Sequence, residues 1–200
     1  MAIMARLDDI TRRWSWAKLG LALTASFLLG AIGLTWATVL YVRSGFSPAL
    51  IEGQLAFDPD VYRAWYAVLI EKRTLPIYVR TKLVDYLYIA ALLSALFFGH
   101  LLVAKAQPDE RWRKLALALA VLGPAIAASD AIENIVTLTM LSDPASFAPW
   151  LAYLVSTLSA VKWGWALIGC TLICVQIVAL AWIRLRRPAN APDSSEQARR

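Results

Sequence analysis

The chain has 200 residues, of which 60% are hydrophobic and only 17% charged, against about 25% charged in a typical soluble domain. Mean hydropathy is +0.57, and several apolar runs reach the roughly 20 residues that a bilayer core about 30 Å thick requires of a helix, which excludes a soluble globular fold. The net charge of +6 does not point to nucleic acid, because the basic residues gather at the ends of the apolar runs, where they set topology.

Residues 1–18 read as a polar amino-terminal segment carrying Arg6, Arg12, Arg13 and Lys18. The first span, residues 19–42, is too long for the apolar region of a signal peptide and lacks a small-x-small cleavage site after it, so it is expected to stay uncleaved. Ser26, Gly30 and Gly33 offer it a small-residue face for close helix packing. A connection of about 40 residues follows, too long to be structureless. Ser47-Pro48 with Gly53 predicts a short helix. Asp58-Pro59 predicts a second, amphipathic one, with Tyr62, Trp65, Tyr66 and Leu69 on one face. This helical loop reads as a cap on the bundle or, alternatively, a lid over a ligand.

The second span covers residues 83–104, its helix beginning as early as Pro76. The third covers 115–141 and contains Pro124, which removes the donor for the Ala120 carbonyl and predicts a kink. The fourth covers 150–183, is longer than a bilayer needs, and should tilt or project. Cys170 and Cys174, the only cysteines, sit one turn apart on it and suit packing better than a disulfide. Residues 186–200 have the composition of a disordered tail. The expected fold is all-α: a four-helix transmembrane bundle spanning residues 19–185, with a helical extracytoplasmic loop between spans 1 and 2. Lysine and arginine placement predicts a multi-pass protein of the inner (plasma) membrane with both termini cytoplasmic.

The anomaly lies in the third span. Asp130, Glu133, Asn134 and Thr137 recur at i, i+3, i+4 and i+7 and so share one helical face. Acids near the centre of a membrane helix cost about 3 kcal/mol each, so partners are expected. Counting inward from the helix ends places Lys162 of the fourth span and Asp85 of the second in the same layer. Three acids then face one clear cation, and either Arg80 completes the pairing or one acid holds a proton. Ser159 and Trp163 are further candidates at the edge of this layer.

Catalytic and metal motifs are not compelling. Ser159 and Lys162 have S-x-x-K spacing without the accompanying elements of a serine-lysine hydrolase. His100 is the only histidine and stands apart from Asp130 and Glu133, so neither a metal site nor a cofactor is expected. Asp85 in VDYLY, the D-x-x-E-N run at Asp130, Glu133 and Asn134, and Lys162 in SAVKWGW together resemble a group of uncharacterised bacterial four-span membrane proteins. The resemblance implies a shared architecture and polar layer, and carries no activity with it. Three functions stay open: a non-enzymatic protein, alone or as a homo-oligomer in the lipid bilayer, whose layer binds a small ligand, ion or proton; a structural or interaction protein whose layer fixes helix register; and an intramembrane enzyme acting on a lipid-like substrate through Asp130 or Glu133.

Overall fold

The structure, a computed structural model, describes residues 2–49 and 51–186. Six α-helices follow in order: α1 (Ala2–Arg13), α2 (Trp16–Ser44), α3 (Pro59–Glu71), α4 (Leu75–Ala106), α5 (Glu110–Ser142) and α6 (Trp150–Arg186), with no strand among the described residues. Of these, α2, α4, α5 and α6 are long and apolar enough to cross a membrane. The fold is therefore that of an all-α, multi-pass membrane protein. The expected tail lies, beyond Arg186, outside the described residues.

Local chemistry fixes most helix ends. The Ser15 hydroxyl accepts from the Lys18 amide to start α2, and Gly45, at φ 66°, closes it. The Asp58 carboxylate accepts from the Asp60 and Val61 amides ahead of Pro59, and that of Asp109 from the Arg111 and Trp112 amides. Each device satisfies amides that a helix start leaves without partners. The segment after Ser47-Pro48 departs from expectation, forming only a 3-10 turn at Glu52–Gln54. There the Tyr41 hydroxyl donates to the Pro48 carbonyl at 2.6 Å and holds the chain back towards α2. Pro124 lies inside α5, which runs through it as a single helix.

The first helix is a second departure. Ile3, Met4, Leu7, Ile10 and Thr11 recur at helical spacing, and Leu7 and Thr11 are buried. Met4, Leu7 and Ile10 pack with Leu101, Ala104, Ala116, Leu117 and Ala120, at the junction of α4 and α5. Asp8 pairs with Arg113, and the Lys105 ammonium donates to the Thr11 carbonyl at 2.8 Å. Residues read as a polar lead-in thus form a helix docked across the base of the bundle.

In the membrane part α4 packs against α2 and α5, and α5 packs against α6. Glycine sets the closest approach: a Cβ added at Gly33 would stand 2.9 Å from the Tyr88 amide nitrogen, and one at Gly30 would stand 3.5 Å from the Ala91 Cβ. The same register brings Lys105 to 5.7 Å from the Trp16 ring centroid. Trp16 and Trp36, 52% and 55% exposed, are separated by about 30 Å of helix, the thickness of the hydrocarbon core. Tryptophans so placed mark the two membrane–water interfaces.

Beyond the level of Trp36 the helices carry a head. The end of α2, the loop, α3, and the neighbouring ends of α4, α5 and α6 build a head with its own core. Phe46, Tyr62, Tyr66, Leu69, Tyr78, Met140 and Phe147 are all buried in it. Phe46 and Tyr78 stack with centroids 4.4 Å apart. Arg63 donates to the Phe147 carbonyl at 3.1 Å and ties α3 to the α5–α6 turn. The extra helix length seen in the sequence is used to build this head.

Replacing Gly33 by valine should force α2 and α4 apart and lower stability by about 1–3 kcal/mol. A thermal melt of the purified protein in detergent checks this, with Gly20→Val as the control, because nothing lies within 4 Å of a Cβ at Gly20.

Candidate functional site at the base of the head

The face of α5 expected from spacing exists, and Asp130, Glu133, Asn134 and Thr137 are all buried, while Ile132 and Ile135 point outward. Lys162 of α6 meets two of them: its ammonium donates to Asp130 Oδ1 at 2.8 Å and to Glu133 Oε2 at 2.6 Å. Glu133 is 1% exposed. Its other oxygen accepts from the Gln54 amide at 3.1 Å and lies 3.9 Å from the Lys82 ammonium. Asn134 donates to Asp85 Oδ2 at 2.8 Å, which brings α4 into the layer.

The Thr137 hydroxyl donates to the Glu133 carbonyl and that of Ser159 to the Val155 carbonyl. Both bonds are internal to their helices, so neither side chain takes part in the ionic contacts. Ser159 and Lys162 do not hydrogen-bond to each other, and the S-x-x-K spacing corresponds to no nucleophile–base pair. Trp163 does belong to the layer. Its indole N–H donates to Gln54 Oε1 at 2.9 Å, and its ring lies 5.7 Å from the Lys162 ammonium.

Arg80 is the residue the structure removes. It is exposed, and Lys82 takes the place expected for it. The cause is helical phase: Lys82 and Asp85, three residues apart, share a face, whereas five residues turn Arg80 about 140° away from Asp85. Gln54 is the residue that spacing arguments miss. It lies outside every apolar run and enters the layer only through the fold of the loop.

The layer lies higher than helix ends suggest. Asn134 pairs with Asp85, and the α2–α4 register sets Asp85 opposite Trp36. Trp163 and Trp165, 39% and 47% exposed, stand near the same level on α6, so they belong to the aromatic belt. Counting from Leu141 and Trp150 overestimates depth because both ends lie in the head. The acids therefore lie level with Trp36 and Trp163, at the head end of the aromatic belt.

A second junction locks the loop above this layer. The Ser156 hydroxyl accepts from the Phe57 amide at 3.0 Å and shares a 3.1 Å hydrogen bond with the Tyr62 hydroxyl. Phe57 is held at φ 50°, a left-handed conformation that a bulky residue adopts only under restraint. Burial raises the Tyr62 phenol above its ordinary value of 10.0, with the Ser156 hydrogen bond pulling the other way, and burial raises that of Tyr66 well above it.

The fold and this layer define a four-span membrane protein with a helical head fastened to its rim. Compared with known proteins, the chain matches no family model, no curated protein and no solved structure.

Ser156→Ala removes the partner of the part-buried Phe57 amide and a hydrogen bond of the buried Tyr62 hydroxyl, and should cost about 1–3 kcal/mol. Limited proteolysis of the 45–58 loop, faster in the variant, reads this directly. Wild-type head stability should also fall as pH rises through about 10, because phenols of the unfolded chain ionise before those of Tyr62 and Tyr66. Near-ultraviolet circular dichroism followed against pH checks the sign.

Proposed function

We propose that the layer is a closed latch, fastening the head to the membrane helices and fixing their register, in a non-enzymatic membrane protein of structural or interaction type. One observation carries this reading: Lys162 is engaged by carboxylates from successive turns of α5, and Gln54 ties one of those carboxylates to Trp163. Helix, helix and loop are thereby joined at one point. Two surface hollows among the described residues are lined elsewhere, one by Thr11, Arg12, Trp16, Lys105 and Arg113, the other by Ala31, Ile32, Thr35 and Trp36. A buried ionic group of this kind serves specificity of packing more than net stability. The gathering of Arg6, Arg12, Arg13, Lys18, Arg111, Arg113 and Lys114 at the end opposite the head supports a cytoplasmic location for both termini and an extracytoplasmic head, in a bacterial inner membrane.

One observation favours a second reading, uptake of a proton or small cation. Asp85, Asp130 and Glu133 face two ammonium groups, those of Lys82 and Lys162, which leaves one negative charge over. It falls beside Asn134, whose side-chain oxygen is buried without a partner. A proton or cation between Asp85 and Asn134 balances both.

The latch predicts that Lys162→Met, which strands two buried carboxylates, lowers stability by about 3–5 kcal/mol and the melting temperature by about 10 °C or more. Combining it with Asp130→Leu and Glu133→Met should recover much of that loss. Melts in detergent measure both, with Asp85→Asn alongside. If Lys162→Met melts like wild type while Asp85→Asn abolishes a pH- or cation-dependent shift in melting temperature, the second reading replaces the first.

A further inference from the structure

We propose that the hollow between α1 and the α4–α5 junction is a site for a phosphate-bearing anion, filled in the membrane by the headgroup of an anionic phospholipid. The hollow measures about 320 Å³ and is lined by Thr11, Arg12, Trp16, Lys105 and Arg113. Three of those five side chains are cations. The acid that answers them is Asp8, which accepts from Arg12 Nε at 2.8 Å and pairs with one terminal nitrogen of Arg113. Two positive charges are left over.

Their donors are also left over. Arg113, whose side chain is 23% exposed, pairs with Asp8 through one terminal nitrogen only, and a guanidinium carries five N–H donors. Lys105 spends one N–H on the Thr11 carbonyl, and an ammonium carries three. The side chain of Arg12 is 68% exposed, and its bond to Asp8 uses only Nε. A phosphate oxygen accepts such donors well, and a guanidinium can offer two in parallel.

Depth decides what brings the phosphate. Trp16 marks the interface at this end and stacks beneath Lys105, so the hollow opens at the headgroup plane. Basic pockets between helices at this level fit lipid headgroups. The flank of α2 continues from Trp16 to Phe27, eleven residues on, within about 20° of the same face and 63% exposed, a surface along which acyl chains can lie. A free phosphate has nothing to place there. The site stands whether or not the head-side layer is a latch.

The test uses the full chain, purified in detergent and stripped of lipid, with bound lipid counted by native mass spectrometry. Phosphatidylglycerol should bind more tightly than phosphatidylcholine, and Arg12→Gln should weaken it about fivefold, the effect of one basic residue near an anionic headgroup. Lys105→Gln and Arg113→Gln should weaken it at least as much. Asp8→Asn, which removes the competing carboxylate, should tighten it. Lys18→Gln, a cation at the same end but outside the hollow, should leave it unchanged. Equal binding of the two lipids, or equal loss in Arg12→Gln and Lys18→Gln, overturns the proposal. Full displacement of phosphatidylglycerol by inorganic phosphate overturns the lipid as occupant and leaves a soluble anion in its place. Arg12 is exposed and its loss leaves the fold intact, so the answer does not depend on the two variants that also anchor α1.

Discussion

A lysine ammonium withdrawn from water must be neutralised where it stands, and the head-side half of this protein is arranged around how Lys162 is neutralised. Removing an ion from water costs several kcal/mol even after the surroundings relax. Two carboxylates from α5 offset that cost, at 2.8 and 2.6 Å. They in turn need company: Glu133 takes the Gln54 amide and the more distant Lys82. Each added partner comes from a different element, so satisfying the charge also fixes where α4, α5, α6 and the loop stand relative to one another. Helix register and loop position follow from one electrostatic requirement.

The position of that requirement explains the rest of the architecture. At mid-membrane the polar backbone of the 45–58 loop would have no way to satisfy its hydrogen bonds, since irregular backbone survives at depth only when enclosed by protein or water. At the rim, overhanging helices supply the enclosure. Ser156 of α6 receives the Phe57 amide, Tyr41 of α2 reaches the Pro48 carbonyl, and the aromatic core of the head covers the loop from above. The extra turns of α4, α5 and α6 are the walls of a small water-facing domain, and the aromatic belt marks where it begins.

Much of this was legible before any coordinates, for a physical reason. The four spans and the inward face of Asp130, Glu133, Asn134 and Thr137 depend on periodicity within one helix, which a sequence carries directly. Pairing with Lys162 was also within reach, because depth along a helix is arithmetic. Arg80 was included for its charge, and helical phase excludes it. Gln54 and Ser156 were out of reach: each makes its contact across about a hundred residues or more of chain, and nothing local in EGQL or VSTL announces it. The α1 helix carried a readable apolar spacing, obscured by the charges between.

The two ends of the bundle solve the same problem in opposite ways. At the head-side rim, carboxylates outnumber cations and the protein closes over them, folding its own loop down to add Gln54. At the other rim, cations outnumber carboxylates, and Arg12 and Arg113 share the carboxylate of Asp8. A protein that folds a loop inward to complete one ionic cluster, yet leaves another open at headgroup height, has left that second cluster to be completed from outside. At that same end, the Gln107 side-chain amide donates to the Gln176 main-chain carbonyl at 3.2 Å and ties α6 to the α4–α5 turn, so the open rim is held in shape without an occupant. Preorganisation of that kind lowers the cost of binding. The closed rim gives the molecule its rigidity, and the open rim is where the surrounding membrane can act on it.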